Sequence, residues 1–125
     1  MTNVLQRVIP SLALAGVVMA GVATPSIAAG YDGLWSVLII TEKGTCDRGY
    51  RYPVRIAGGK VGHANPESSF NIRGRVAGTG AIQVTVSRGD QSASGSGKLS
   101  ASGGGGRWKT ASGQCSGVWT AERRG

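Results

Sequence analysis

From residue 33 onward, apolar side chains recur at every second position, and turn residues interrupt the pattern at intervals of roughly 8–12 residues. Residues 33–46 form the most apolar run of this part of the chain. In it Trp35, Val37 and Ile39 alternate with Leu34, Leu38 and Ile40, so both faces are apolar, as in a strand covered on both sides or lying at a sheet seam. A second strand follows, with Tyr50, Tyr52, Val54 and Ile56 on one face and Arg51, Pro53 and Arg55 on the other. Pro53 lacks a ladder donor and predicts an edge or a bulge there. Ala57-Gly58-Gly59 then turns the chain into a short return strand, Lys60-Val61-Gly62-His63.

The same period continues downstream. Phe70, Ile72, Gly74 and Val76 alternate with Asn71, Arg73 and Arg75, and after a turn at Ala77-Gly78-Thr79-Gly80, Ile82, Val84 and Val86 alternate with Gln83, Thr85 and Ser87. Residues 92–106 have the Ser/Gly composition of a linker. Alternation survives there, with Ala93, Gly95, Gly97 and Leu99 on one face, and it predicts a strand whose inward positions are small to make room for Trp35, Trp108 and Trp119. Residues 103–106 are expected to turn the chain into a strand around Trp108, and Ser112-Gly113 into a last one around Trp119. No stretch has a helical period. The fold class is therefore all-β: a small antiparallel up-and-down β-barrel of seven or eight strands, with a two-sheet β-sandwich as the alternative.

The first 29 residues read differently. Arg7 precedes the apolar run of residues 8–20, and Ser26-Ile27-Ala28 or Ile27-Ala28-Ala29 offers small residues for cleavage, the layout of a signal peptide. Pro10 and Pro25 interrupt the run and no basic stop-transfer flank follows, which argues against a membrane anchor. The expectation is a cleaved leader over 1–29, a single β domain over 30–125, and a periplasmic or secreted location. In that compartment the two cysteines, Cys46 and Cys115, are expected to pair. Closing a loop of about 70 residues adds about 4 kcal/mol in the chain-entropy picture, a large share of a small domain's margin.

Charge adds a class of partner. Lys and Arg number 14 against 6 Asp and Glu, a net charge of +8, and only Arg7 leaves with the leader. Arg51, Arg55, Lys60, Arg73 and Arg75 all fall on outward positions. If their strands are neighbours they share a face across about 10 Å, where guanidinium groups can clamp carboxylates or phosphates. An anionic polysaccharide, a lipid head group or an envelope protein is the expected partner, with no specific nucleic acid, and the domain is expected to be a monomer. The alternative is that the same charges form a solvated face.

Chemistry beyond binding is sparse. His63 is the only histidine and has no nucleophile or orienting acid at a triad spacing, so no catalytic residue and no metal site are assigned and the protein is not expected to be an enzyme. Asp32, Glu42, Asp47, Glu67, Asp90 and Glu122 fall mostly in turns or at strand ends, where they cap and solubilise. Gly95-Ser96-Gly97-Lys98-Leu99 lacks the first glycine and the hydroxyl of a phosphate loop. Arg88-Gly89-Asp90 is an integrin-binding tripeptide elsewhere, but Gly-Asp between two strands is also what a hairpin requires.

Taken together, Tyr31-Asp32-Gly33-Leu34-Trp35, Thr45-Cys46-Asp47-Arg48-Gly49-Tyr50-Arg51-Tyr52, the segment from Ser87 through Gly97, and Gly113-Gln114-Cys115-Ser116-Gly117-Val118-Trp119 resemble a group of small exported alphaproteobacterial proteins of unknown function. Some of these are labelled exoproteins of heme utilisation or adhesion. That resemblance implies a heme-associated role, which requires an axial ligand. Met1 and Met19 leave with the leader and the cysteines are expected to pair, so His63 and the tyrosines remain, and no cofactor is expected. Gly33-Leu34-Trp35 is also similar to the opening of lipocalin and avidin barrels. The leading expectation is thus an exported, non-enzymatic barrel that binds an anionic ligand through its basic outer face. The alternatives are an interaction module such as a protease inhibitor acting through a loop, and a heme-associated exoprotein.

Overall fold

The computed structural model describes residues 29–125, so all but the last residue of the expected leader lies outside the described residues. A single 3-10 turn, Ala29–Tyr31, leads into eight strands: β1 Gly33–Lys43, β2 Gly49–Ala57, β3 Lys60–His63, β4 Asn71–Val76, β5 Ala81–Arg88, β6 Gln91–Leu99, β7 Gly103–Thr110 and β8 Ser116–Arg123. Each pairs antiparallel with the next, and β8 returns to pair with β1, closing an up-and-down barrel. The two-sheet sandwich is excluded, because every strand has two partners. β1 is the seam expected of a strand with two apolar faces, paired with β2 from Gly33 to Ile40 and with β8 from Trp35 to Lys43.

The barrel has two unlike ends. The 3-10 turn, the β2–β3, β4–β5 and β6–β7 turns and the C-terminus gather at one end, where Leu34 N–H donates to Gly125 O at 2.8 Å and Arg124 N–H to Leu34 O at 2.7 Å. Gly58 and Gly59 have φ of 60° and 79°, which permits the two-residue turn between β2 and β3. Asp32 accepts both of that turn's N–H groups, from Gly58 at 2.9 Å and Gly59 at 3.3 Å. Trp35 is 2 % exposed at this end and packs with Ile56, Val76, Ile82, Leu99 and Ala121. The opposite end carries the longer loops 44–48 and 64–70. There Cys46 is bonded to Cys115, which joins the β1–β2 loop to the residue before β8. A bonded pair suits an oxidising, extracytoplasmic environment.

One local expectation is corrected and one is refined. Residues 103–106 are not a turn but the first half of β7, with Gly104 to Gly106 in register with Leu99 to Gly97 on one side and Gly103 to Gly106 with Glu122 to Trp119 on the other. The chain reverses earlier, at residues 100–102, where Ser100 N–H donates to Gly103 O at 2.7 Å. Pro53 meets the edge expectation on one side: it pairs in regular register with Ser36, without a bulge, while β3 pairs with β2 only from Val54 onward and leaves Pro53 at a local edge. Its carbonyl accepts Ala64 N–H just past the end of β3, and N and O of one strand residue face the same side. Its nitrogen therefore faces Ala64, beyond the end of β3, where a missing donor is tolerated.

The Ser/Gly segment is a strand, as the alternation predicts, and its small residues do face tryptophans. A Cβ on Gly97 would lie 2.7 Å from Cζ2 of Trp119, so the indole occupies the space that a side chain would need. The Trp119 N–H donates to Ser96 O at 3.1 Å, Trp108 to Ile40 O at 3.1 Å and Trp35 to Tyr31 O at 2.8 Å. All three indole donors are satisfied by backbone, as burial demands.

Candidate functional site

The register sets the outer face. Lys60, Arg75, Gln83, Ser96 and Arg107 are successive partners across β3 to β7, and Arg73, Thr85, Ser94 and Lys109 are successive partners on the next outward rung across β4 to β7. Cations therefore stand on β3, β4 and β7, whereas β5 and β6 between them present short hydroxyl and amide side chains. The result is an open trough of about 1010 Å³ with Lys60, Arg73 and Arg75 on one bank and Arg107 and Lys109 on the other. At about 4.8 Å per strand, β4 and β7 stand about 14 Å apart.

All five cations are exposed. Arg107 is held by Glu42 at 3.0 Å, and among the described residues the other four have no ion-pair partner. Each is thus available to a ligand without displacing a carboxylate.

The five positions predicted from alternation divide. Lys60, Arg73 and Arg75 come together as expected. Arg55 shares their face one step outside the trough, since Gly62 separates it from Arg73 along one rung. Arg51 stands apart: β3 ends at the level of Val54, and Arg51 instead donates to Ser36 Oγ at 2.9 Å. Arg107 and Lys109 were not expected. Their alternation about Trp108 marks them as outward, but only the strand order places them opposite β4.

Inside the barrel, the end away from the 3-10 turn is hollow. A cavity of about 400 Å³ is walled by Val37, Ile39, Tyr52, Val84, Val86 and Trp108, each only partly buried, and floored by Trp35 and Trp119. Gly95 and Ala93 line it from β6. Tyr50, Tyr52 and Phe70 cluster at the mouth with ring centroids 4.7–5.7 Å apart. Arg88 lies over the Phe70 ring, 4.7 Å from its centroid. Burial, and then the neighbouring Tyr50, push the Tyr52 phenol above the ordinary tyrosine range while Arg88 pulls it back, so Tyr52 is neutral at physiological pH.

The remaining candidates are local. His63 Nδ1 accepts Asn65 N–H at 2.9 Å, and the ring packs edge-on to Tyr52, outside the cavity lining. Asp32 caps a turn, Glu42 pairs with Arg107 and Glu122 with Arg124. Among the described residues, no three His, Cys, Asp or Glu side chains come together as metal donors. Gly89-Asp90 is a two-residue hairpin between Arg88 and Gln91. Compared with known protein families, curated proteins and solved structures, the chain matches none.

Proposed function

We propose that this is an exported, non-catalytic binding protein whose outer trough takes a linear polyanion, an acidic polysaccharide of the cell envelope or its surroundings. One observation carries the reading: two banks of cations flank a floor of Gln83, Thr85, Ser94 and Ser96, with a single carboxylate, Glu42, at the edge. A recessed floor between raised banks suits a chain that lies along β5 and β6 better than a flat lipid surface. The floor supplies neutral hydrogen-bonding groups for hydroxyls, while the banks supply charge for carboxylates or sulfates. The disulfide and the leader-like residues 1–29 support a periplasmic or secreted setting.

The test removes Lys60, Arg73, Arg75 and Lys109 together by substitution with Ser. Heparin serves as the probe, and a second variant loses Lys43, Arg48, Arg51 and Arg124 instead. Exposed pairs are worth about 0.2–1 kcal/mol each, so the trough variant is expected to bind about fourfold to several hundredfold more weakly. The charge-matched control keeps most of its affinity. Equal losses in the two variants overturn the reading, because the binding would then follow net charge and not the trough.

A further inference from the structure

We infer that the barrel interior is a second binding site, independent of the outer trough, for a small amphipathic anion with an apolar or aromatic body and one carboxylate or sulfonate head. The site is built by a mismatch between ring size and side chains. An eight-stranded ring has an interior just wide enough for side chains to fill. Towards the closed end they fill it, with Trp35, Ile56, Leu99 and Trp119 all buried. Towards the mouth, Gly95 stands beside Val84 and Ala93 beside Val86 in register, and the wall recedes. A Cβ on Gly95 would find no atom nearer than 3.4 Å, unlike one on Gly97. The space left is about 400 Å³, which at about 30 Å³ per water-sized group holds about 13 such groups.

The lining decides what can enter. The indole N–H groups of Trp35, Trp108 and Trp119 are spent on backbone carbonyls, and the Thr41 hydroxyl donates to Asp47 O. The walls therefore offer a ligand body little but apolar and aromatic surface. Charge is met only at the mouth. Arg88 follows Ile82, Val84 and Val86 on the inward positions of β5, lines the cavity, and has no ion-pair partner among the described residues. Asp47 also lines the mouth, where its carboxylate repels an anion, so the attraction for the head comes from Arg88 alone. Tyr50, 41 % exposed, leaves an aromatic face at the entrance for the ligand to stack on as it passes.

The folded, oxidised domain is titrated with anilinonaphthalenesulfonate, and the bound dye is displaced with decanoate or with decanol. Dye fluorescence is expected to rise, and decanoate to displace the dye better than decanol. Arg88→Gln weakens decanoate about tenfold and leaves decanol nearly unchanged. Val84→Trp, which projects into the space beside Gly95, abolishes saturable dye binding in a variant that keeps its far-ultraviolet spectrum. Dye binding that survives Val84→Trp, or equal losses of decanoate and decanol in Arg88→Gln, overturns the inference. If Val84→Trp does not fold, the decanoate and decanol comparison decides alone. The fourfold trough variant retains dye binding, so failure of the outer site and failure of the inner one are read separately.

Discussion

The guanidinium of Arg123 lies over the indole of Trp35, 5.4 Å from its ring centroid, and the two residues are direct partners across the β1–β8 seam. The same guanidinium donates to Gly30 O at 2.8 Å, to Ala101 O at 2.9 Å and to Asp32 O. One side chain thus ties the 3-10 turn, the β6–β7 turn and the last strand together beneath the tryptophan that plugs the barrel. Arg123→Ala removes the cation–π contact and leaves carbonyls without their donor, at an expected cost of about 2–4 kcal/mol in urea unfolding. Arg123→Lys recovers only part of this, because an ammonium lacks the planar fork that reaches three carbonyls at once.

Gly95 and Gly97 are neighbours on one strand face yet should respond oppositely to a methyl group. At Gly97 a Cβ meets Trp119 and the backbone of Gly106, each at 2.7 Å, so Gly97→Ala is expected to cost about 2 kcal/mol or more. At Gly95 the nearest neighbours are at 3.4–3.7 Å, ordinary contacts. Gly95→Ala is expected to be neutral or to stabilise by up to about 1 kcal/mol, through lost freedom in the unfolded chain. Thermal unfolding of the two variants side by side distinguishes them.

Cys46 and Cys115, 69 residues apart, fasten loops at the hollow end. Replacing both with Ser is expected to lower stability by about 4 kcal/mol in the chain-entropy picture. The β1–β8 ladder does not depend on the bridge, so the loss should appear first as trypsin cleavage after Arg48 in the β1–β2 loop, with β8 still protected.

Tyr52 holds its proton more tightly in the folded protein than in the unfolded chain. Stability is therefore level below about pH 10 and falls as the pH rises through the ordinary tyrosine value towards the raised native one, because the unfolded state ionises first. Tyr52→Phe removes this contribution. Urea midpoints measured from neutral to alkaline pH should decline less steeply in the variant.

Much of this barrel could be read from alternation alone, because β2, β4 and β5 carry a side chain at nearly every position that shows which face is inward. The start of β7 could not, since four consecutive glycines display no face, and only pairing with β6 and β8 reveals them as strand. The trough was half legible. Arg73 and Arg75 share a strand, but their relation to Lys109 depends on two intervening strands with short side chains. The cavity left no trace in any single residue, being the difference between the circumference of eight strands and the summed volume of what points inward.

Both ends of the described chain leave the barrel beside Trp35, where Leu34 and Gly125 are hydrogen-bonded. A tether, tag or fused domain at either end therefore hangs from the base, and the cup with its aromatic rim faces away from whatever holds it. Immobilising the protein through either end should cost nothing in access to the interior, whereas a link made through the loop holding Cys46 would stopper it.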